Sequence, residues 1–172
     1  MKEHEAEINP TIGIITISSS RWEKFGDVKD INKIEDIGDE SGKTILDLSK
    51  FDVIEYRLVP DDRQRIVSAF EELLEKVDVI ITTGGTGITP KDVTIEALEA
   101  LVDKKLDGFG EIYRMLSYKE VGTAAILSRA FAGVVNGRVL FCLPGSKKAV
   151  KLAMELINPL IKHVLSHARG LK

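Results

Sequence analysis

A glycine-rich segment, TTGGTGITPKDVT at residues 82–94, carries the strongest chemical signal in this sequence. Glycines adopt positive φ readily and let backbone N–H groups approach an oxyanion with no Cβ in the way, and neighbouring threonine hydroxyls add donors. The composition predicts a phosphate cradle, although a strained turn that binds nothing would have a similar sequence. The segment matches neither G-x-x-x-x-G-K-[ST] nor G-x-G-x-x-G. Its candidate binding residues are Thr83, Gly84, Gly85, Thr86 and Gly87.

Two aspartates each lie in a predicted turn that follows a strand. Asp92 ends the glycine-rich segment, and Asp61 follows Pro60, where a predicted strand stops. Either carboxylate could simply cap the next helix, with Asp62 adding favourable charge to the first turn after Pro60. Beside a phosphate cradle, the same two carboxylates could hold Mg²⁺, which bridges phosphate oxygens and neutralises charge in phosphoryl-type transfer. Asp61 and Asp92 are therefore the candidate catalytic residues and magnesium ligands.

A third segment, LPGSKKAV at residues 143–150, turns from a predicted strand into the last helix. Lysines in the first turn oppose the helix dipole, so Lys147 and Lys148 suggest a bound anion; a solvated pair of lysines is the alternative interpretation. The candidate binding residues here are Pro144, Gly145, Ser146 and Lys147.

The elements that must position these residues alternate between strand and helix. Strands are predicted at 11–18, 51–59 and 77–82, followed by a hairpin of 131–135 and 138–143 around Asn136-Gly137. Helices are predicted at 63–76, 92–101, 109–118 and 146–167, whereas residues 19–42 show no sustained period and predict a long loop before a helix capped near Ser41. This order indicates an α/β fold with a mostly parallel sheet, in which ligands bind beyond the carboxyl ends of the strands.

The composition of the chain argues against several classes of function. The 172 residues fit one domain (1–172), and the net charge of −3 provides no global field that would recruit nucleic acid or a membrane surface. One cysteine, Cys142, excludes an intrachain disulfide and is expected to be an inert core residue in a reducing, cytoplasmic setting. Residues 1–10 lack a secretory signal, and no apolar stretch is long enough to span a membrane. His163 and His167 have no third metal ligand nearby in sequence, and Ser18 to Ser20 have no histidine for a triad.

Four motifs in order resemble one family. They are TTGGTGITPKDVT, GFGEIYRMLS at 108–117, ILSRAFAGVVNG at 126–137, and LPGSKKA. Together they resemble the MogA/MoaB family of molybdenum cofactor biosynthesis proteins, to which the gephyrin G domain also belongs, over about residues 8–168. The MoaB branch is the closer match, through RMLS, AGVVNG and PGSKKA.

The resemblance implies a three-layer α/β/α sandwich that binds molybdopterin and assembles as a homotrimer or homohexamer. Active members transfer AMP from Mg-ATP to the terminal phosphate of molybdopterin, for use by the metal-inserting enzyme of the pathway. The family's functional aspartates match Asp61 and Asp92, and its binding residues extend to Ser18, Ser41 and Gly42. Many members have Ser-Asp after the first strand, where this chain has Ser18-Ser19. A non-catalytic molybdopterin carrier or scaffold is the alternative function. A site for an unrelated nucleotide or sugar phosphate is a third interpretation, but it leaves the matches at PGSKKA and GFGE unexplained.

Overall fold

The structure is a computed structural model that describes residues 7–171. Its strands are β1 (Thr11–Ile17), β2 (Asp52–Val59), β3 (Val79–Thr83), β4 (Lys104–Lys105), β5 (Phe131–Val135) and β6 (Arg138–Leu143). Its α-helices are α1 (Ser19–Phe25), α2 (Glu40–Leu48), α3 (Arg63–Leu74), α4 (Thr94–Leu98), α5 (Asp107–Val121) and α6 (Lys147–Ala168). Short 3₁₀ segments lie at Ile31–Lys33, Glu99–Leu101 and Gly122–Leu127.

The six strands form one sheet in the order β2-β1-β3-β6-β5-β4. β1 pairs in parallel with β2 and β3, and β3 pairs in parallel with β6. β5 alone runs against its neighbours, because the hairpin turn at Asn136 and Gly137, with φ of 49° and 71°, reverses the chain within two residues. The predicted mostly parallel sheet with one hairpin is confirmed, and the carboxyl ends of β2, β1, β3 and β6 meet at one edge.

Helices cover both faces of the sheet and make three layers. In β1, Ile12 and Ile14 point into a core shared with α2, α5 and α6, whereas Ile15 and Ile17 point into a second core shared with α3 and α4. The alternation follows from the two-residue period of a strand, and each fully buried isoleucine side chain contributes about 1.5–3 kcal/mol to folding. Burial on both faces explains why the strands are nearly continuous apolar runs.

The segment predicted as a loop, residues 19–42, contains the helix α1 and the 3₁₀ segment Ile31–Lys33 before α2 begins. α1 starts directly after Ser18, whose hydroxyl accepts from the Arg21 N–H, and none of its residues is fully buried. A seven-residue helix without a buried stripe has no apolar periodicity, so the pattern could not indicate it. The helix predicted to be capped near Ser41 is α2, whose cap is Asp39, two residues earlier, accepting from the Gly42 N–H.

Several other element boundaries differ from the predictions. Asp62, not Asp61, caps α3 by accepting from the Arg65 N–H. α4 is shorter than expected, and α5 begins earlier and runs on into a 3₁₀ segment. β4 was not predicted, because two exposed lysines carry no strand signal. α6 continues through Pro159, where buried Ile157 and Ile161 keep the helix packed despite the lost hydrogen bond.

Cys142 is fully buried in β6, and burial raises the pKa of its thiol to about 12. The prediction that Cys142 is a core residue is confirmed. None of the helices within residues 7–171 has both the length and the apolar character that crossing a membrane requires.

Candidate active site

A cavity of about 620 Å³ opens at the carboxyl edge of the sheet, where the four parallel strands end. Its volume is within the range of small-molecule sites. Of the residues predicted for the site, the cavity brings together Ser18, Asp61, Gly84, Gly85, Thr86, Gly87, Asp92, Pro144 and Gly145. It also contains Ile17, Ser19, Ser20, Lys91, Leu127 and Ser128. Predicted residues from four separate segments of the chain are thus neighbours in space.

The glycine-rich loop is fixed by hydrogen bonds to its carbonyl groups. Thr94 donates through Oγ1 to the Gly84 carbonyl at 2.8 Å and through its N–H to the Gly85 carbonyl at 3.1 Å. Gly84 has a φ of +104°, and a Cβ there would lie 2.2 Å from the Ile17 carbonyl oxygen. Only glycine fits this approach of β3 to the end of β1.

The N–H groups of three residues in the same loop differ from its carbonyl groups in having no hydrogen-bond partner within the described residues. Within residues 7–171, the N–H groups of Gly85, Thr86 and Gly87 donate no hydrogen bond. Unpaired N–H groups beside a cavity are suited to an anion, and a phosphate oxygen would satisfy them. The loop is therefore rigid on its carbonyl side and has donors available on its N–H side.

Asp61 is held at one end of this loop through a single carboxylate oxygen. Its Oδ2 accepts from the Ser19 hydroxyl at 2.7 Å and from the Ser19 N–H at 3.2 Å. Its Oδ1 lies 3.4 Å from the position that a Cβ on Gly85 would take. One oxygen is thus engaged, and the other is close to the glycine-rich loop.

Asp92 is held in a similar way at the other end. Its Oδ2 accepts from the Thr89 N–H at 2.9 Å and from the Thr89 hydroxyl at 2.8 Å. A Cβ on Gly87 would lie 2.8 Å from this oxygen and 3.7 Å from Oδ1. α4 has no side-chain cap, so Asp92 does not cap it.

Two carboxylates beside available N–H donors are the kind of groups that bind a phosphate together with a hard cation. Mg²⁺ is commonly bound by one or two carboxylates together with substrate phosphate oxygens, and Asp61 and Asp92 supply such a donor set. Within residues 7–171, no group of three or more His, Cys, Asp or Glu side chains could form a metal centre from protein ligands alone. A cation at this site would therefore take further ligands from the substrate.

The third predicted segment divides between two cavities. Pro144 and Gly145 line the first cavity, and Ser146 caps α6 by accepting from the Ala149 N–H at 3.2 Å. Lys147 instead lines a neighbouring cavity of about 510 Å³, together with Lys151. The start of α6 thus separates two cavities, each with lysine nearby.

Ser41 and Gly42 lie outside the first cavity, next to the buried Asp39. Asp39 accepts from the hydroxyls of Thr16 at 2.6 Å, Tyr56 at 2.7 Å and Ser41 at 3.2 Å, and from the Gly42 N–H at 2.9 Å. Burial and the adjacent carboxylate raise the pKa of Tyr56 well above its ordinary value, so its hydroxyl stays a donor. This network fixes α2 against the sheet, and the ligand contacts predicted for Ser41 and Gly42 stay predictions.

Thr83 is also outside the cavity. Its hydroxyl donates to the Pro144 carbonyl at 2.9 Å and ties the ends of β3 and β6 together.

Three residues at or beside the site were not predicted as site residues from the sequence: Ser19, Lys91 and Arg129. Lys91 stands inside the glycine-rich motif and Ser19 follows a predicted site residue, so their positions were a usable signal. Nothing in the sequence indicated that Arg129, 37 residues beyond Asp92, contacts the loop.

Known proteins resemble this chain over nearly its whole length. The family described as a probable molybdopterin binding domain matches residues 13–163. The molybdopterin adenylyltransferase of Pyrococcus furiosus is 41% identical over 178 residues, which cover 98% of each chain. The probable molybdopterin adenylyltransferase of Methanocaldococcus jannaschii is 38% identical over 168 residues, covering 96% of this chain and 98% of the relative. The crystal structure of the tungsten cofactor synthesizing protein MoaB from Pyrococcus furiosus superposes with a TM-score of 0.81 at 40% identity, covering 95% of this chain and 99% of that one.

Proposed function

This chain belongs to the molybdopterin-binding family that includes MoaB, and we propose that it is a molybdopterin adenylyltransferase. It transfers AMP from Mg-ATP to the terminal phosphate of molybdopterin. One observation carries the proposal: two carboxylates, Asp61 and Asp92, flank a loop whose N–H groups are available to phosphate. The adenylyltransferase names of the two archaeal relatives support the same activity.

The reaction needs positioning and charge neutralisation more than covalent chemistry. A terminal phosphate oxygen of molybdopterin forms a bond to the α-phosphorus of ATP, and the bond to the departing pyrophosphate breaks. Bound Mg²⁺ supplies charge neutralisation at the phosphate oxygens. Asp61 and Asp92 would hold the ion, while the N–H groups of residues 85–87 orient the phosphates.

Two cavities are consistent with two substrates. The first has the carboxylates and the glycine-rich loop, which suit a magnesium nucleotide. The second, which we assign to molybdopterin, contains Lys43, Lys147 and Lys151 as cations that would pair with its phosphate, together with the carboxylates of Glu35, Asp39, Glu40 and Asp47. The start of α6 lies between them, so the reacting phosphates would meet there. Ser41 and Gly42, beside the second cavity, would support its wall.

We also propose a homo-oligomer, a homotrimer or homohexamer. Large apolar side chains are exposed along one face of α5 and the 3₁₀ segment that follows, and patches of this kind mark interaction surfaces. They are Ile112, Met115, Tyr118, Val121, Ile126 and Leu127. The product would pass in the cytoplasm to the enzyme that inserts molybdenum or tungsten; the Pyrococcus MoaB is named for the tungsten cofactor.

The test is incubation with molybdopterin and Mg-ATP, with detection of adenylylated molybdopterin and pyrophosphate. Asp61→Asn and Asp92→Asn should each lower kcat by about 100-fold or more, since about 3 kcal/mol of charge stabilisation is lost, while the thermal midpoint stays close to that of the wild type. Asp62→Asn is the matched control, because asparagine also caps helices. Unchanged turnover in both variants would exclude this site, and pterin binding without product would make the chain a carrier.

A further inference from the structure

We propose that Ser19 is a positioning residue that fixes the orientation of the Asp61 carboxylate in the active site. The inference rests on the proposed function, because it assigns Asp61 to the bound magnesium nucleotide.

Three hydrogen bonds join Ser19 and Asp61 reciprocally. The Ser19 hydroxyl donates to Asp61 Oδ2 at 2.7 Å, and the Ser19 N–H donates to the same oxygen at 3.2 Å. The Asp61 N–H in turn donates to Ser19 Oγ at 2.9 Å. Both the side chain and the backbone of Asp61 are therefore held by a residue 42 positions earlier in the chain.

This pairing selects which oxygen faces the ligand. Oδ2 is occupied by two donors, whereas Oδ1 accepts no hydrogen bond from any residue in 7–171 and lies beside Gly85. Rotation of the carboxylate would break the bonds to Oδ2, so the plane of the group is fixed. Oδ1 is then the oxygen that would hold a cation bound together with the nucleotide.

Ser19 is itself held independently of Asp61. The N–H of Ser18 donates to the Val59 carbonyl at 3.0 Å and ties the start of α1 to the end of β2. Arg21 anchors the same helix by donating to the carbonyl oxygens of Ile37 at 3.0 Å and Gly38 at 2.8 Å. α1 thus provides a fixed support on which Ser19 can orient a neighbour.

Asp92 provides a useful contrast within the same site. Its Oδ2 is held by Thr89, three residues away in its own loop, so it needs no support from α1. A defect at Ser19 should therefore act through Asp61 and leave the contribution of Asp92 intact.

The experiment measures binding of Mn²⁺ in the presence of ATP, by electron paramagnetic resonance, with no pterin and no turnover. Ser19→Ala should weaken Mn²⁺ binding about 10-fold, and Ser19→Thr, which keeps the hydroxyl, should restore it to within about twofold of the wild type. Ser68→Ala, a serine on the exposed side of α3, is the matched control and should bind as the wild type does.

A double-mutant cycle decides whether Ser19 acts through Asp61. The double variant Ser19→Ala/Asp61→Asn should bind Mn²⁺ no more weakly than Asp61→Asn alone, with thermal midpoints recorded for every variant. Losses that add, a threonine variant as weak as the alanine variant, or no Mn²⁺ binding by the wild type with ATP would each overturn the inference. Coupled losses in a protein that forms no adenylylated product would refute the proposed function and leave the role of Ser19 standing.

Discussion

Arg129 Nε donates a 2.9 Å hydrogen bond to the carbonyl oxygen of Gly87, 42 residues earlier in the chain. Its Nη2 donates to the Asp92 carbonyl at 3.3 Å, its own N–H donates to the Thr86 carbonyl at 3.1 Å, and its guanidinium pairs with Glu96. One side chain therefore joins both ends of the loop segment that contains Lys91 and leads to Asp92. The planar, five-donor geometry of arginine makes such multiple contacts possible.

Arg129→Ala should lower kcat/KM for adenylyl transfer about 10-fold, because the segment between Gly87 and Asp92 loses its brace. Arg129→Lys should not restore activity, since an ammonium group cannot reproduce the fork of donors. Steady-state kinetics checks this, with Arg138→Ala as the control: within residues 7–171 the Arg138 side chain donates a hydrogen bond to the Asn136 carbonyl in its own hairpin and does not contact the loop. Full activity of the lysine variant would contradict the bracing role.

Gly84→Ala should destabilise the protein by about 2–4 kcal/mol, because φ is +104° and the new methyl group would overlap the Ile17 carbonyl oxygen. Gly108→Ala is the control: the residue lies in the first turn of α5, a Cβ there meets nothing within 4 Å, and alanine favours helix by up to about 1 kcal/mol. Urea unfolding measures both changes. Equal stability of the Gly84 variant and the wild type would show that the loop can relax.

Glu72 should make stability depend on acid pH. Hydrogen bonds from the buried Arg57 lower the pKa of Glu72 from its ordinary value of 4.5 to about 2. A carboxyl whose pKa is lower in the folded state stabilises the fold above its unfolded-state pKa, and that contribution is lost as the pH falls from about 4.5 to about 2.

The free energy of unfolding of Glu72→Gln should therefore vary less steeply with pH over this range than that of the wild type. Urea titrations at a series of pH values measure the slope. Glu71→Gln is the control, because Glu71 is an exposed neighbour on α3 with no ion pair in the part of the chain that the structure describes. Equal slopes for Glu72→Gln and the wild type would show that the pair with Arg57 does not shift the titration.

Short-range information was enough to predict most of the fold. Short apolar runs predicted β1 and β3, and the alternation of apolar and polar residues predicted β2. Asn136-Gly137 predicted the hairpin, and the spacing of apolar residues predicted α3. The same information failed at α1, which buries no residue fully, and at Asp61, where two adjacent aspartates compete for one cap. At both places the neighbouring residues in the sequence are compatible with more than one local structure, so the sequence pattern could not choose between them.

The sequence by itself determined the chemistry available to this protein. Glycines that permit positive φ and two aspartates are properties of residue type and spacing, and they lie together in the cavity at the carboxyl edge of the sheet, whereas Lys147 of the lysine-rich helix start lines the neighbouring cavity. Tertiary structure alone decided how these groups are oriented: Asp61 is held by Ser19 and does not cap the next helix, and Arg129 braces the loop. Hydrogen bonds depend on distance and angle between residues about 40 positions apart, and only the packing of strands and helices around the sheet sets those quantities.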